Sequence, residues 1–188
     1  AGAFGAPIGV RRMLTLLLPY LAFGVFLAVN SFAGYSVGQF LLYGAVIVVM
    51  VAATFASRGN PARMLLYFAL CGVAALLIGM NTTGMTSVVA FISVGLFCST
   101  MWPCIFALAI TGLGRNTGQG SSLLVMMIMG GGLVSWLQGW VADHHGIHTS
   151  FIVGVVCFAY LAFYAARTPG LLRRQGIDLD KLTAQGGH

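Results

Sequence analysis

The histidines His144, His145 and His148 are the side chains whose type and spacing most resemble a metal site. His145 and His148 are three residues apart, and Asp143 is adjacent to the cluster. A protein zinc site usually has about four ligands, and no distant Cys, His or Glu completes one here. We therefore interpret the cluster as an ordinary polar loop, in which Asp143 caps or ends an apolar segment, and we predict no metal and no cofactor.

A second group of polar side chains lies inside long apolar runs, where each polar atom needs a partner. The group comprises Gln39, Tyr43, Ser99, Trp102, Ser135 and Gln138. Its last four members form two pairs, each three residues apart, so each pair would share one helical face. Apart from Asp143 and Arg63 at the edges, no charged residue falls within these runs. Catalysis at such depth needs ionisable or metal-binding groups, so we predict that the chain is not an enzyme.

The composition identifies the solvent in which these side chains must work. Of the 188 residues, 59% are hydrophobic and only 6% are charged, and the mean hydropathy is +0.96. Soluble domains carry about 25% charged residues, so this chain is expected to lie in a lipid bilayer. Its basic residues are scattered rather than gathered in a stripe, which excludes a nucleic-acid partner. The four cysteines all lie in apolar runs and are expected to be free thiols.

The apolar runs are long enough for helices that cross the membrane, which takes about 20 residues. Six segments are predicted to span: 13–30, 35–57, 62–80, 86–112, 121–142 and 148–166. The predicted fold is therefore an all-α membrane protein with six transmembrane helices. Its parts are a cytoplasmic N-terminal segment (1–12), the six-span bundle (13–166) and a cytoplasmic tail (167–188).

The basic residues indicate how the six spans are oriented. All nine fall on one side of the six-span scheme: Arg11, Arg12, Arg58, Arg63, Arg115, Arg167, Arg173, Arg174 and Lys181. Because cytoplasmic loops are enriched in Lys and Arg, both termini are predicted to be cytoplasmic. The expected location is the bacterial inner membrane.

Proline and glycine interrupt the fourth and fifth predicted spans. Pro103 removes one backbone donor in mid-span, which predicts a kink, and Ser99 and Thr100 are near enough to help satisfy the freed carbonyl. Gly130, Gly131 and Gly132 would let another helix approach closely. A moving contact in the same place is the alternative. Ser121 or Ser122 is predicted to cap the fifth span.

A long motif in these two spans resembles a known family. The stretch from 95 to 146 contains the segment WPCIF at 102–106, then GLG at 112–114, GSS at 120–122, GGG at 130–132 and Gly139. It resembles spans 10 and 11 of the fucose permease-like sugar–proton symporters of the major facilitator superfamily. The fragment RGNPARML at 58–65 looks like that family's loop between spans 8 and 9.

The resemblance implies that the chain corresponds to spans 7–12, the C-terminal half of such a transporter, built as two inverted three-helix repeats. It implies a hexose-like sugar as substrate, contacted by the second group of polar side chains, since aromatic, amide and hydroxyl groups suit a sugar. The family's proton-coupling carboxylates lie mainly in the other half, so coupling would need that half. Trp102 could instead pack or face lipid, and Gln138 could form an interhelical hydrogen bond.

Two other functions remain open at the level of sequence. The chain could be a non-transporting membrane interaction protein or a truncated relic, its glycine-rich faces serving assembly alone. It could also form a homodimeric passive pore, because its expected cavity faces are uncharged. The predicted partners are thus the lipid bilayer, a small sugar, and either a second six-helix half or a second copy.

Overall fold

The computed structural model describes residues 24–25, 41–57, 59–174, 176–177 and 179, and every regular element among them is helical. The α-helices are α1 (Leu41–Ala56), α2 (Pro61–Asn81), α3 (Met85–Ile110), α4 (Thr117–Met126), α5 (Gly130–His145), α6 (Ile147–Ser150) and α7 (Ile152–Arg174). Short 3₁₀ helices at Gly114–Asn116 and Met127–Met129 precede and follow α4. The predicted all-helical class is confirmed.

Four helical segments are long and apolar enough to cross a membrane: Pro61–Asn81, Met85–Ile110, Gly114–His145 and Ile147–Arg174. They correspond to the last four predicted spans. The first predicted span lies outside the described residues apart from the helical Gly24 and Val25. The described part of the second is α1, which includes a shorter apolar helix, Gly44–Ala56. The chain is an integral membrane protein, while the count of six spans and their inverted repeats stay predictions.

The chain divides into two compact units, residues 1–52 and 53–188. Among its described residues, the first unit contains Gly24, Val25 and most of α1. The second unit contains α2 to α7 and therefore most of the predicted binding residues.

A side-chain cap fixes the start of α2. Asn60 precedes the helix, and its Oδ1 accepts hydrogen bonds from the backbone N–H groups of Ala62 (3.0 Å) and Arg63 (3.5 Å). Pro61 occupies the first helical position, where the missing N–H costs nothing. At the other end, Gly84 adopts a positive φ of 71° and reverses the chain into α3.

Helix α2 is the centre of the second unit, because it packs against both α3 and α7. Leu65, Phe68 and Ala69 are fully buried. The ring of Phe68 lies 6.0 Å from that of Phe97 on α3. These contacts bury apolar surface along the length of α2 and hold three helices together.

Glycines allow the close approach on both sides of α2. A Cβ at Gly72 would collide with the ring of Phe158 on α7, and one at Gly79 would lie 2.9 Å from the ring of Phe91 on α3. Gly154 of α7 in turn lies against Leu76. Small residues at such crossings let helices pack tightly where lipid gives no hydrophobic driving force.

The segment Gly114–His145 packs very differently, since none of the residues in its most apolar stretch of 18 residues is buried. The predicted loop before it is largely helical, because α4 already begins at Thr117. The prediction that Ser121 or Ser122 caps this helix is wrong. Their hydroxyls lie inside α4 and donate to the carbonyls of Thr117 (2.8 Å) and Gln119 (2.9 Å).

Basic residues gather at one end of the second unit. Because α2 runs antiparallel to α3 and α7, the start of α2, the end of α3 and the end of α7 lie at the same end. The described basic residues of that end are Arg63, Arg115, Arg167, Arg173 and Arg174. Helix α7 continues to Arg174, so the start of the predicted cytoplasmic tail is helical.

Candidate functional site

Ser99 and Trp102 lie on the open face of α3. Both side chains are exposed, Trp102 to 44%, whereas Met101, Cys104 and Leu108 of the same helix are buried. The helix therefore buries one face in the unit and presents Ser99 and Trp102 on the other. This is the arrangement that the spacing of three predicts, with both residues on one helical face.

Pro103 stands next to Trp102 without ending the helix. It lacks an N–H group, so the carbonyl of Ser99, four residues earlier, loses its usual donor. The Ser99 hydroxyl donates instead to the carbonyl of Leu96 at 2.7 Å, so the expectation is wrong for Ser99, and for Thr100 it stays a prediction. Unpaired backbone at membrane depth is tolerated only within protein or beside a water-filled cavity. Cavity lining by the exposed Pro103 face therefore stays a prediction.

Ser135 and Gln138 lie on α5, the second interrupted span. Ser135 is exposed and Gln138 is half-buried, and within the described part of the chain neither side chain forms a hydrogen bond. Beyond the adjacent residues and the backbone of the helix itself, no described atom lies within 4 Å of a Cβ built at Gly130, Gly131 or Gly132. The close helix packing predicted for this glycine run is therefore not made by the described residues and stays a prediction.

A stretch of altered helix precedes the glycine run. Residues Met127–Met129 form a 3₁₀ helix between α4 and α5, in the middle of the long apolar segment. A 3₁₀ stretch in mid-helix often marks a hinge. The glycines that follow at once lower the local cost of bending. The fifth predicted span is thus interrupted at its centre, as Pro103 interrupts the fourth.

The predicted binding residues are not gathered into one site by the described structure. Ser99 and Trp102 are brought together on α3, and Ser135 and Gln138 on α5, but the two helices do not pack along each other. Gln39 lies outside the described residues, and of Tyr43 only the helical backbone is described.

The histidine cluster is more helical than the sequence predicts. Asp143, His144 and His145 belong to the last turn of α5, and Gly146, with φ of 87°, breaks the helix before α6. Nδ1 of His144 lies 2.9 Å from the carbonyl oxygen of Trp140, and the two rings are 4.6 Å apart. Within the described ranges, no three His, Cys, Asp or Glu side chains lie together so that they could hold a metal ion.

A cleft that sequence reasoning missed lies at the end of the unit opposite the arginines. It joins the α2–α3 connection to the turn between α5 and α7, and its volume is about 520 Å³. The rings of Phe91 and Phe151 stack inside it with centroids 4.0 Å apart, and the ring of His148 lies 6.0 Å from that of Phe91. Residues so distant in sequence carry no spacing signal, so only the folded structure could bring them together.

Long apolar helices, small residues at helix crossings and uncharged polar side chains on open faces define a multi-span membrane protein with features of a transporter. No family model and no solved structure matches the chain. A glucose/galactose transporter of Brucella abortus biovar 1 (strain 9-941) is 41% identical over 105 residues, 56% of this chain and 26% of that protein.

Two further relatives are named as proton symporters. The L-fucose-proton symporter of Escherichia coli (strain K12) is 37% identical over 110 residues, 58% of this chain and 25% of that protein. That of Haemophilus influenzae (strain ATCC 51907 / DSM 11121 / KW20 / Rd) is 31% identical over 116 residues, 58% of this chain and 27% of that protein.

These relatives confirm the predicted resemblance to the fucose permease-like sugar symporters. The matches span only about a quarter of each relative's length, 25–27%. The relatives are named as transporters, which also confirms the prediction that the chain is not an enzyme.

Proposed function

We propose that this chain supplies the C-terminal six-helix half of a major facilitator sugar transporter and moves a hexose-like sugar when paired with an N-terminal half. The observation that carries the proposal is the 41% identity, over more than half of the chain, to a protein named as a glucose/galactose transporter. The proposed location is the bacterial inner membrane, with both termini in the cytoplasm.

The charge distribution supports this orientation. The arginines at the start of α2, between α3 and α4, and at the end of α7 all lie at one end of the second unit. The positive-inside rule assigns that end to the cytoplasm. The cleft and the turn at Gly146 then face outward.

The two interrupted helices support a role in alternating access. Transporter binding sites form where apolar helices are broken by Gly or Pro near mid-membrane. Pro103 on α3 and the 3₁₀ stretch with its glycine run before α5 are such interruptions. In this proposal Ser99 and Trp102 on one helix, and Ser135 and Gln138 on the other, contact the sugar as the two helices move.

The need for a second half rests on two features. The segment Gly114–His145 has no buried residue in its most apolar 18-residue stretch, whereas the corresponding stretches of α2 and α3 are partly buried. The chain has three acidic residues, and none lies at the centre of a predicted span. In this proposal, a proton-coupling carboxylate therefore comes from outside these 188 residues.

Uptake of radiolabelled hexose into proteoliposomes under an inward proton gradient tests this function. The chain is reconstituted alone and together with an N-terminal half of a fucose permease-like relative, with a full-length transporter as positive control. We expect uptake only with the second half, and its collapse when a protonophore dissipates the gradient.

The other outcomes separate the alternative functions. Uptake by the chain alone, insensitive to the gradient, would support a homodimeric passive pore, which the uncharged open faces allow. No uptake in either case, from a folded protein and with a working control, would contradict the proposal. That result would favour an interaction protein or a truncated relic.

A further inference from the structure

The cleft at the outward end, opposite the arginines, is lined by groups from two separate connections. Thr83, Ser87 and Phe91 come from the end of the α2–α3 connection and the start of α3. His148 and Phe151 come from the short elements between α5 and α7. A volume of about 520 Å³ falls within the range of small-molecule sites, about 300–1,000 Å³.

The walls of this cleft suit a neutral ligand with both apolar and hydroxyl-bearing surfaces. No Lys, Arg, Asp or Glu is among the described residues that line it, so nothing there offers a charge to an ion. The stacked rings of Phe91 and Phe151 form a preformed apolar wall. Thr83 and His148, both exposed, provide hydrogen-bonding groups at the rim.

Ser87 contributes in a more restricted way, because its hydrogen is already used. Its Oγ donates to the carbonyl oxygen of Gly79 at 2.8 Å, and the side chain is buried. The oxygen can still accept a hydrogen bond. A ligand there must therefore donate, which a sugar hydroxyl can do and a ketone or ether cannot.

We infer that this cleft is a second, outward-facing binding site for a neutral monosaccharide, separate from the polar faces of α3 and α5. The inference rests on the proposed function, since the chain's relationship to sugar transporters selects this ligand from other small neutral molecules. A pyranose ring presents C–H groups to the Phe91–Phe151 wall and hydroxyls to Thr83, Ser87 and His148. A sugar arriving from outside would meet this site first.

Saturation-transfer NMR with D-galactose and L-fucose tests the inference on the full chain. The protein is held in phospholipid nanodiscs, because glycoside detergents would present their own sugar groups. We expect Thr83→Trp, which fills the cleft from an exposed connection, to weaken binding at least about tenfold. His148→Ala, which removes one hydrogen-bonding group, should weaken it about fivefold.

His145→Ala is the matched control, because His145 is an exposed neighbour that does not line the cleft. It should bind both sugars like the unmodified chain. The two cleft variants change the structure in opposite ways, because Thr83→Trp adds a large side chain and His148→Ala removes one. A loss of binding in both is therefore unlike the effect of a single misfolded variant. Thermal denaturation of each variant identifies any loss of fold.

The outcomes distinguish the cleft from the proposed function. Normal binding in both cleft variants, with binding lost in Gln138→Ala, would overturn the second site and leave the transport proposal intact. Binding that depends on the cleft, without uptake in proteoliposomes containing the N-terminal half, would support the cleft and contradict transport. No sugar binding by the unmodified chain would overturn the second site.

Discussion

The helices α2, α3 and α7 and the segment Gly114–His145 are similarly apolar, yet the chain uses them in opposite ways. In the most apolar 18-residue stretch of α2, 39% of the residues are buried. In the corresponding stretch of Gly114–His145, none is buried. Both regions are rich in glycine. At Gly72 and Gly79 the missing side chain makes room for an aromatic ring, while around Gly131 there is open space.

This difference shows that glycine in a membrane helix has two distinct uses. In the packed region it fixes a helix crossing, and any added atom must displace a neighbour. In the open segment it leaves a helix face without side chains, next to a 3₁₀ stretch where the helix can bend. The first use stabilises a unit, and the second leaves a face free to meet another helix or a substrate.

The largest expected effect is on stability and comes from adding a methyl group to each kind of glycine. Gly72→Ala places a Cβ against the buried ring of Phe158, 2.6 Å from its Cδ1, so the packing between α2 and α7 must shift. Overpacking of this kind costs about 1–3 kcal/mol. Thermal denaturation of the chain in nanodiscs should show a clear decrease in Tm.

Gly131→Ala is the matched control for that variant, because no described atom lies near its added Cβ. In the isolated chain its Tm should be unchanged or slightly higher, since Ala favours helix by up to about 1 kcal/mol over Gly. An equal decrease in both variants would mean that the two regions do not differ in packing. A loss of uptake by Gly131→Ala in proteoliposomes that contain the N-terminal half, with an unchanged Tm of the isolated chain, would support the proposal that this face is covered on assembly.

The same contrast explains what the sequence could and could not predict. The last four spans and the placement of the arginines at one end could be predicted from the sequence, because long apolar runs and charged residues are local features of the chain. The crossings at Gly72 and Gly79 were missed, since an isolated glycine in an apolar run gives no sign of which ring will lie against it. The GGG run at 130–132 predicts close helix packing, although the described crossings lie at other glycines.

The candidate site was predictable only one helix at a time. Spacing of three places Ser99 with Trp102, and Ser135 with Gln138, because helical periodicity is a local property. How α3 and α5 approach each other depends on tertiary contacts that the sequence does not encode in any spacing. The cap errors have a similar cause: Ser121 and Ser122 had suitable side chains, but the helix began earlier, at Thr117.

A smaller effect, on transport, should distinguish a polar residue in the open segment from one in the packed region. Gln138→Ala removes an amide that forms no hydrogen bond within the described structure, so we expect uptake with the N-terminal half to fall about tenfold. The physical reason is the loss of polar contacts to the sugar in a site of low dielectric. Initial rates over a range of hexose concentrations measure it.

Asn81→Ala is the corresponding change in the packed region. Asn81 is exposed at the end of α2, where its Nδ2 donates to the carbonyl of Leu77 at 2.8 Å. Uptake by this variant should match that of the unmodified protein. If Gln138→Ala also transports normally, Gln138 has no part in the site, and an interhelical hydrogen bond becomes its better explanation.

The smallest expected effect comes from removing one hydroxyl from each region. In Ser87→Ala the carbonyl of Gly79 loses a buried hydrogen bond of 2.8 Å that ties the start of α3 to the end of α2, at a cost of about 1 kcal/mol. In Ser122→Ala only a local bond to the carbonyl of Gln119, on an exposed helix face, disappears. A Tm decrease of a few degrees for Ser87→Ala and none for Ser122→Ala is expected. Equal shifts would show that burial does not set the strength of these bonds, and that the packed and open regions are less different than their exposure indicates.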